Sequence, residues 1–258
     1  MQTVILCGGL GTRLREETEF RPKPMVNIGA KPILWHIMKI YAACGYTKFI
    51  LALGYKGEMI RDFFCHYELM NCDITLELGS PEKIQLHNQH DELGWKITLA
   101  HTGATALKGA RLKKIEKYIE GDDFMVTYGD GVANVDISKL IDFHKSHGKI
   151  GTISGVHPPS QYGELMIKKD QVLSFNEKKE RQNNSINGGY FVFNTDFFRY
   201  LEDDDNCILE RAPLEKLTLD GELKAFHHKG FWQCMDTNRD YKYLMELWKS
   251  SRAPWKIW

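Results

Sequence analysis

A short apolar strand that breaks directly into glycine sets the frame for this chain. Thr3-Val4-Ile5-Leu6-Cys7 is apolar and β-branched, and Gly8-Gly9-Leu10-Gly11 follows at once. That order reads as a buried strand opening into a glycine-rich turn. Such a turn admits positive φ and close approach, so successive main-chain N–H groups can face phosphate oxygens. Thr12 adds a hydroxyl and Arg13 a planar cation with several donors. Lys23, a second cation, sits between Pro22 and Pro24, which stiffen its loop. The simplest ligand that uses all of these groups is a nucleoside triphosphate. Two other phosphate motifs are excluded: G-x-x-x-x-G-K-[ST] does not occur, and Leu14 stands where G-x-G-x-x-G needs its last glycine.

Further along, strand and helix signals alternate. Helical spacing begins at Pro32, with Ile33, Leu34, Ile37, Met38, Ile40 and Tyr41, and runs to Gly45. A strand is predicted at Lys48 to Leu53, then a helix after Gly57 with Met59, Ile60, Phe63, Phe64 and Tyr67 on one face. Strands at Asp73 to Leu78 and Trp95 to Ala100 flank a polar stretch from Gly79 to Gly94, in which His87 and His90 read as partly exposed loop histidines. A helix at Arg111 to Ile119, a strand at Phe124 to Tyr128, a helix at Ile137 to His147 and a strand at Ile150 to Val156 follow.

This alternation predicts an α/β fold with a doubly wound, mostly parallel, Rossmann-like sheet. Ligands on such sheets lie beyond the carboxyl ends of strands, so Gly8 to Arg13 and Gly129 to Gly131 should border one crevice. After Pro158-Pro159 the pattern changes. Gly163 to Lys168, Val172 to Asn176 and Gly189 to Asn194 read as a smaller antiparallel insert, followed by helices at Thr195 to Leu201, Pro213 to Leu219 and Arg239 to Lys249. The expected organisation is a single domain over 1–258, with residues 1–156 mainly binding nucleotide and 157–258 mainly binding sugar phosphate.

Basic and acidic residues number 34 each, so no charge excess points to nucleic acid or an anionic membrane. The six cysteines include no C-x-x-C pair and are expected to be reduced thiols. No apolar run is long enough for a bilayer, and Met1 leads straight into strand residues. A cytoplasmic enzyme is the expectation.

With Leu6 to Leu14, Lys23-Pro24-Met25, Tyr128-Gly129-Asp130-Gly131, Asn187-Gly188-Gly189 and Phe231 to Thr237 all in place, the chain resembles the sugar-1-phosphate nucleotidyltransferases. Lys31 to Met38, together with Tyr128 to Gly131, Asn187 to Gly189 and Phe231 to Thr237, narrows the resemblance to the branch that joins CTP to glucose 1-phosphate, giving CDP-glucose and pyrophosphate. One sugar-phosphate oxygen attacks the α-phosphorus of the triphosphate and pyrophosphate departs in line. Both partners are anionic, so the protein mainly neutralises charge and aligns them.

The resemblance implies roles for particular residues. Arg13 faces the leaving pyrophosphate and Lys23 the α-phosphate, with Asp130 as a third catalytic residue. Main-chain groups of Leu6, Cys7, Gly8, Gly9, Leu10 and Gly11, with Thr12, Thr105, Arg111 and Gly129, bind the nucleotide, while Lys108 and Ala110 depart from the family pattern in the base-reading segment. Asp130 and Asp236 hold Mg²⁺; a carboxylate at the end of a buried strand is expensive without a cation. Read from its neighbours alone, Asp236 is instead the N-cap of the next helix.

Tyr128, Gly163, Glu177, Lys178, Asn187 and Gly188 contact the sugar phosphate, although Lys179 replaces the proline of the family's Glu-Lys-Pro. The resemblance also implies a homo-oligomer, and the Trp255-Lys256-Ile257-Trp258 tail could pack on its own domain or on a neighbour. The same chemistry with UTP or dTTP, a metal-dependent glycosyltransferase and a binding-only sensor are the alternatives.

Overall fold

The computed structural model describes residues 1–9, 11–79, 83–157, 164–168, 170–176 and 185–258, and only the main chain of 12, 15, 16, 164–168 and 174–176. Leu10, Gly163, Glu177 and Lys178 therefore lie outside the described residues, as does the side chain of Thr12.

Seven strands form the central sheet: β1 (Gln2–Cys7), β2 (Lys48–Leu53), β3 (Lys96–His101), β4 (Asp123–Tyr128), β5 (Gly151–Val156), β6 (Ile186–Asn194) and β7 (Leu223–His228). Their spatial order is β7-β5-β6-β4-β1-β2-β3. Pairing is parallel except where β6 runs antiparallel to both β4 and β5. β1 is buried along its whole length, as its uninterrupted apolar sequence requires at the centre of a two-sided sheet.

Its alternate residues feed different cores. Ile5 and Cys7 join one apolar cluster with helices Ile33–Ala43 and Ile137–His147, and Val4 and Leu6 join a second cluster with helices Lys108–Ile115 and Ala212–Leu219. The mostly parallel sheet with helices on both faces agrees with the sequence expectation.

Four details differ from that expectation. The segment assigned to an antiparallel insert, Gly189 to Asn194, belongs to β6 of the main sheet, pairing Tyr190 with Thr127; the separate antiparallel pair is Glu164–Lys168 with Gln171–Asn176. β7 was not anticipated, because LKAFHH carries no clear apolar alternation. The polar stretch from Gly79 to Gly94 contains strand Ile84–Leu86, which closes a hairpin with Ile74–Leu76. The helix after Gly57 breaks at His66 into Gly57–Cys65 and Tyr67–Asn71, and Met59 faces outward while Ile60 is buried.

The C-terminal tail packs on its own chain. Trp255 is fully buried, and His36 lies inside a cage of Trp35, Trp248, Trp255 and Trp258. Burial holds the His36 imidazole down to about 4, and its Nε2 lies 2.9 Å from the Ile28 carbonyl oxygen.

Candidate active site

The glycine loop leaves the C-terminal end of β1 and borders a cavity of about 620 Å³. Gly11 sits at φ +65°, a conformation that favours glycine. Gly8 is constrained by proximity: a Cβ there would lie 2.0 Å from the Arg111 guanidinium carbon. Arg111 is itself buried, and burial lowers its pKa. Its Nη1 donates to Leu53 O at 3.1 Å, Thr102 Oγ1 at 2.7 Å and Gly103 O at 2.8 Å, and Nη2 to Gly8 O at 3.1 Å and Ala104 O at 3.3 Å. This cation thus clamps the glycine loop to the 102–104 turn.

Across the cavity, short-range geometry brings distant acids together. The segment Gly131–Ala133 pairs with Trp232–Cys234, matching Gly131 with Cys234, and the Met235 N–H donates to the Asp130 carbonyl at 2.8 Å. That register sets Asp130 and Asp236 side by side. Asp236 is not the N-cap of the following helix Asn238–Lys249. Thr237 takes that place in a reciprocal capping box with Asp240, which leaves the Asp236 carboxylate free to face the cavity.

Lys23 bridges the two acids, its Nζ 2.7 Å from Asp130 Oδ2 and 2.5 Å from Asp236 Oδ1. Its short helical turn, Lys23–Met25, starts after Pro22 and contains Pro24, so the side chain leaves a rigid base. Burial alone would depress the ammonium, but the Asp130 and Asp236 carboxylates outweigh it and raise the pKa. Burial likewise opposes ionisation of Asp236, yet Lys23 and Arg13 hold its carboxyl below the usual range. Arg13 Nη1 lies 3.2 Å from Asp236 Oδ2 with its side chain 73% exposed, so this contact is weak and the guanidinium can turn to another anion.

Asp130, Cys234 and Asp236 place three donor atoms within 4.8 Å of one another. Burial, with the Asp130 charge, pushes the Cys234 thiol up, which keeps it protonated and leaves an all-carboxylate donor pair. Hard oxygen donors that already embrace a cationic group fit a divalent ion of the Mg²⁺ class.

A second network lines the opposite wall. The Tyr128 hydroxyl donates to Glu210 Oε1 at 2.7 Å and accepts from Asn187 Nδ2 at 3.1 Å. Asn187 Oδ1 accepts from the Gly189 N–H at 2.8 Å, and Trp232 Nε1 donates to Gly188 O at 2.7 Å. Lys108 pairs with Glu210 and lies 4.6 Å above the Tyr128 ring.

Of the residues singled out in the sequence, Leu6, Gly8, Gly9, Gly11, Arg13 and Lys23 border the cavity. Thr105, Arg111, Tyr128, Gly129, Asp130, Asn187 and Asp236 do so as well. The Cys7 side chain is buried in the core, and Gly188 takes part through its carbonyl oxygen. Trp232, Cys234, Lys108 and Glu210 were not anticipated. The first two lie inside the Phe231-to-Thr237 motif, and Lys108 is where the base-reading segment departs from its pattern. Glu210 carried no local signal.

The nucleotidyl transferase family model matches residues 2–238. The chain belongs to that family. It is 48% identical to the glucose-1-phosphate cytidylyltransferase of Salmonella typhimurium and 42% identical to the probable glucose-1-phosphate cytidylyltransferase of Bacillus subtilis, each match covering 100% of both chains. Among solved structures, HddC from Yersinia pseudotuberculosis complexed with GMP-PN superposes with a TM-score of 0.69 at 29% identity, over 96% of this chain and 99% of that one. For a nucleotidyl transferase the cluster of Arg13, Lys23, Asp130 and Asp236 is chemically apt, since the reaction brings two anions together. Among the described residues no helix is long and apolar enough to cross a membrane.

Proposed function

We propose that this nucleotidyl transferase moves the cytidylyl group of CTP to α-D-glucose 1-phosphate, giving CDP-glucose and pyrophosphate. The observation that carries the reading is the Lys23 bridge between Asp130 and Asp236 at one edge of the glycine-loop cavity. Full-length similarity to relatives named for that reaction supports the choice of substrates.

In this mechanism the α-phosphate and sugar phosphate meet over the glycine-loop amides. Lys23 turns its ammonium toward the α-phosphate, and Arg13 leaves Asp236 for the leaving pyrophosphate. A phosphate oxygen of glucose 1-phosphate forms the new P–O bond as the bond to pyrophosphate breaks; no general base is needed, because the sugar phosphate is already ionised near neutral pH. Asp130 and Asp236 would hold Mg²⁺, which would supply charge neutralisation for the phosphates. Tyr128 and Asn187 orient the sugar, and Glu210 fixes the Tyr128 hydroxyl, to which Asn187 in turn donates. Arg111, by clamping Gly8 against the 103–104 turn, holds the wall where the base lies.

The reading includes a cytoplasmic setting, supported by six free cysteines, and self-association, supported by Leu76, Leu78, Ile84 and Leu86 exposed on one hairpin. Pyrophosphate release, measured with glucose 1-phosphate and Mg²⁺ against each of the common nucleoside triphosphates, tests the function. CTP is expected to give the highest kcat/KM; preference for UTP or dTTP would reassign the base, and nucleotide binding without release would make the chain a sensor.

A further inference from the structure

Outside the cavity, Glu68, Cys72 and His90 bring a carboxylate, a thiol and an imidazole together with donor atoms within 4.8 Å of one another. Glu68 lies in helix Tyr67–Asn71 and Cys72 is the residue that ends it, four positions on, so both face the same side. Cys72 Sγ is 4.0 Å from Glu68 Oε2. His90 arrives from the far side of the Ile74–Leu76 and Ile84–Leu86 hairpin. The hairpin's base is fastened by the Asp73 N–H donating to Asn88 Oδ1 at 2.6 Å and the His87 N–H donating to Asp73 O at 2.9 Å. Although His90 lies in a polar stretch, its side chain is 8% exposed.

His90 Nε2 points at Glu68 Oε2, 2.9 Å away. On the other side of the ring, Nδ1 is 3.2 Å from Glu92 Oε2 and 3.1 Å from the Glu92 main-chain N. Glu92 is itself buried and fixed by Trp35 Nε1 at 2.9 Å and Lys39 Nζ at 3.5 Å. As it stands, Nδ1 accepts from the Glu92 main-chain N–H and Nε2 faces Glu68 as a donor; the Glu92 carboxylate beside Nδ1 offers a second place for the proton, and in that tautomer the Nε2 lone pair turns toward a metal.

We propose that Glu68 Oε2, Cys72 Sγ and His90 Nε2 bind a transition-metal dication of the Zn²⁺ class, with water completing the shell. A thiolate and an imidazole select such an ion over Mg²⁺. On binding, the Cys72 S–H proton passes to solvent as the sulfur–metal bond forms. The ion fastens the exposed hairpin to helix Tyr67–Asn71, closing the loop between Cys72 and His90. The site is separate from the Asp130–Asp236 pair and does not depend on the reaction proposed above.

Cobalt titration of the full chain, stripped by chelator dialysis, tests the proposal. The wild type is expected to take up Co²⁺ with a thiolate-to-metal charge-transfer band that Zn²⁺ abolishes. Cys72→Ser should lose the band and His90→Gln should weaken it, whereas Cys234→Ser, at the only other metal-compatible cluster among the described residues, should keep it. Glu92→Gln should lower Co²⁺ affinity by ~10–100-fold. No band in the wild type would mean that His90 merely donates a hydrogen bond to Glu68. A band that survives Cys72→Ser, or that vanishes with Cys234→Ser, would also overturn the proposal.

Discussion

Lys23 Nζ donates to Asp130 Oδ2 at 2.7 Å although 107 residues separate them in the chain. The ammonium is nearly buried and shares Asp236 as its other partner. Removing it leaves two carboxylates facing each other with only the exposed Arg13 guanidinium beside Asp236, an arrangement that favours a divalent ion over none. Lys23→Ala is therefore expected to bind Mn²⁺ more tightly than the wild type in the absence of nucleotide, read by electron paramagnetic resonance. Its turnover should fall by roughly 100–1000-fold, as for loss of one preorganised donor to a transition state. Unchanged Mn²⁺ affinity would show that Lys23 does not compete for the carboxylates.

Gly8→Ala would place a methyl group 2.0 Å from the Arg111 guanidinium carbon. That cation makes its hydrogen bonds to loop oxygens, which lose them if it moves. Overpacking of this kind costs about 1–3 kcal/mol. For a chain of this size that lowers Tm by about 2–4 °C per kcal/mol, which calorimetry would detect. A Tm equal to wild type would mean that the loop relaxes around the methyl group.

Glu210→Gln keeps an acceptor for the Tyr128 hydroxyl but removes the charge that pairs with Lys108. With Tyr128 and Asn187 proposed as the sugar-facing wall, KM for glucose 1-phosphate should rise about 10-fold while KM for CTP stays unchanged. Steady-state kinetics in each substrate separates the two, and an equal rise in both would place Glu210 outside sugar positioning.

The buried His36 gives a pH signature. Its folded value, about 4, lies below the ordinary 6.5, so between those values the unfolded chain binds the extra proton and stability falls as pH falls. The contribution reaches up to roughly 3 kcal/mol at the acid end. Denaturant unfolding of His36→Gln against wild type from pH 7 to pH 4 should show the variant losing less stability on acidification; parallel curves would assign the acid sensitivity elsewhere.

The residues that could be read from sequence share a property: their partners are local or their burial is complete. β1 and its glycine loop were legible because an unbroken apolar run ends in glycine, and helix Ile137–His147 because Asp136 caps its start and Gly148 its end. β6 was misassigned because the sheet a strand joins is decided by distant pairing, here Tyr190 with Thr127, which local alternation does not encode. The Asp130–Asp236 proximity depends in the same way on the register of Gly131 against Cys234. Asp236 was legible only through its resemblance, since Thr237 and Asp240 had to be recognised as the cap before the carboxylate was free for the cavity. Glu210 was invisible: nothing near it in sequence announces Tyr128 as its partner.

The most direct test follows the α-phosphorus itself. CTP labelled at that atom is incubated with glucose 1-phosphate, Mg²⁺ and either the wild-type chain or Asp130→Ala, each shown to be folded by circular dichroism. Label is expected in CDP-glucose for the wild type and at least ~100-fold more slowly for Asp130→Ala; transfer at equal rates by both, or none by the wild type, would contradict the account.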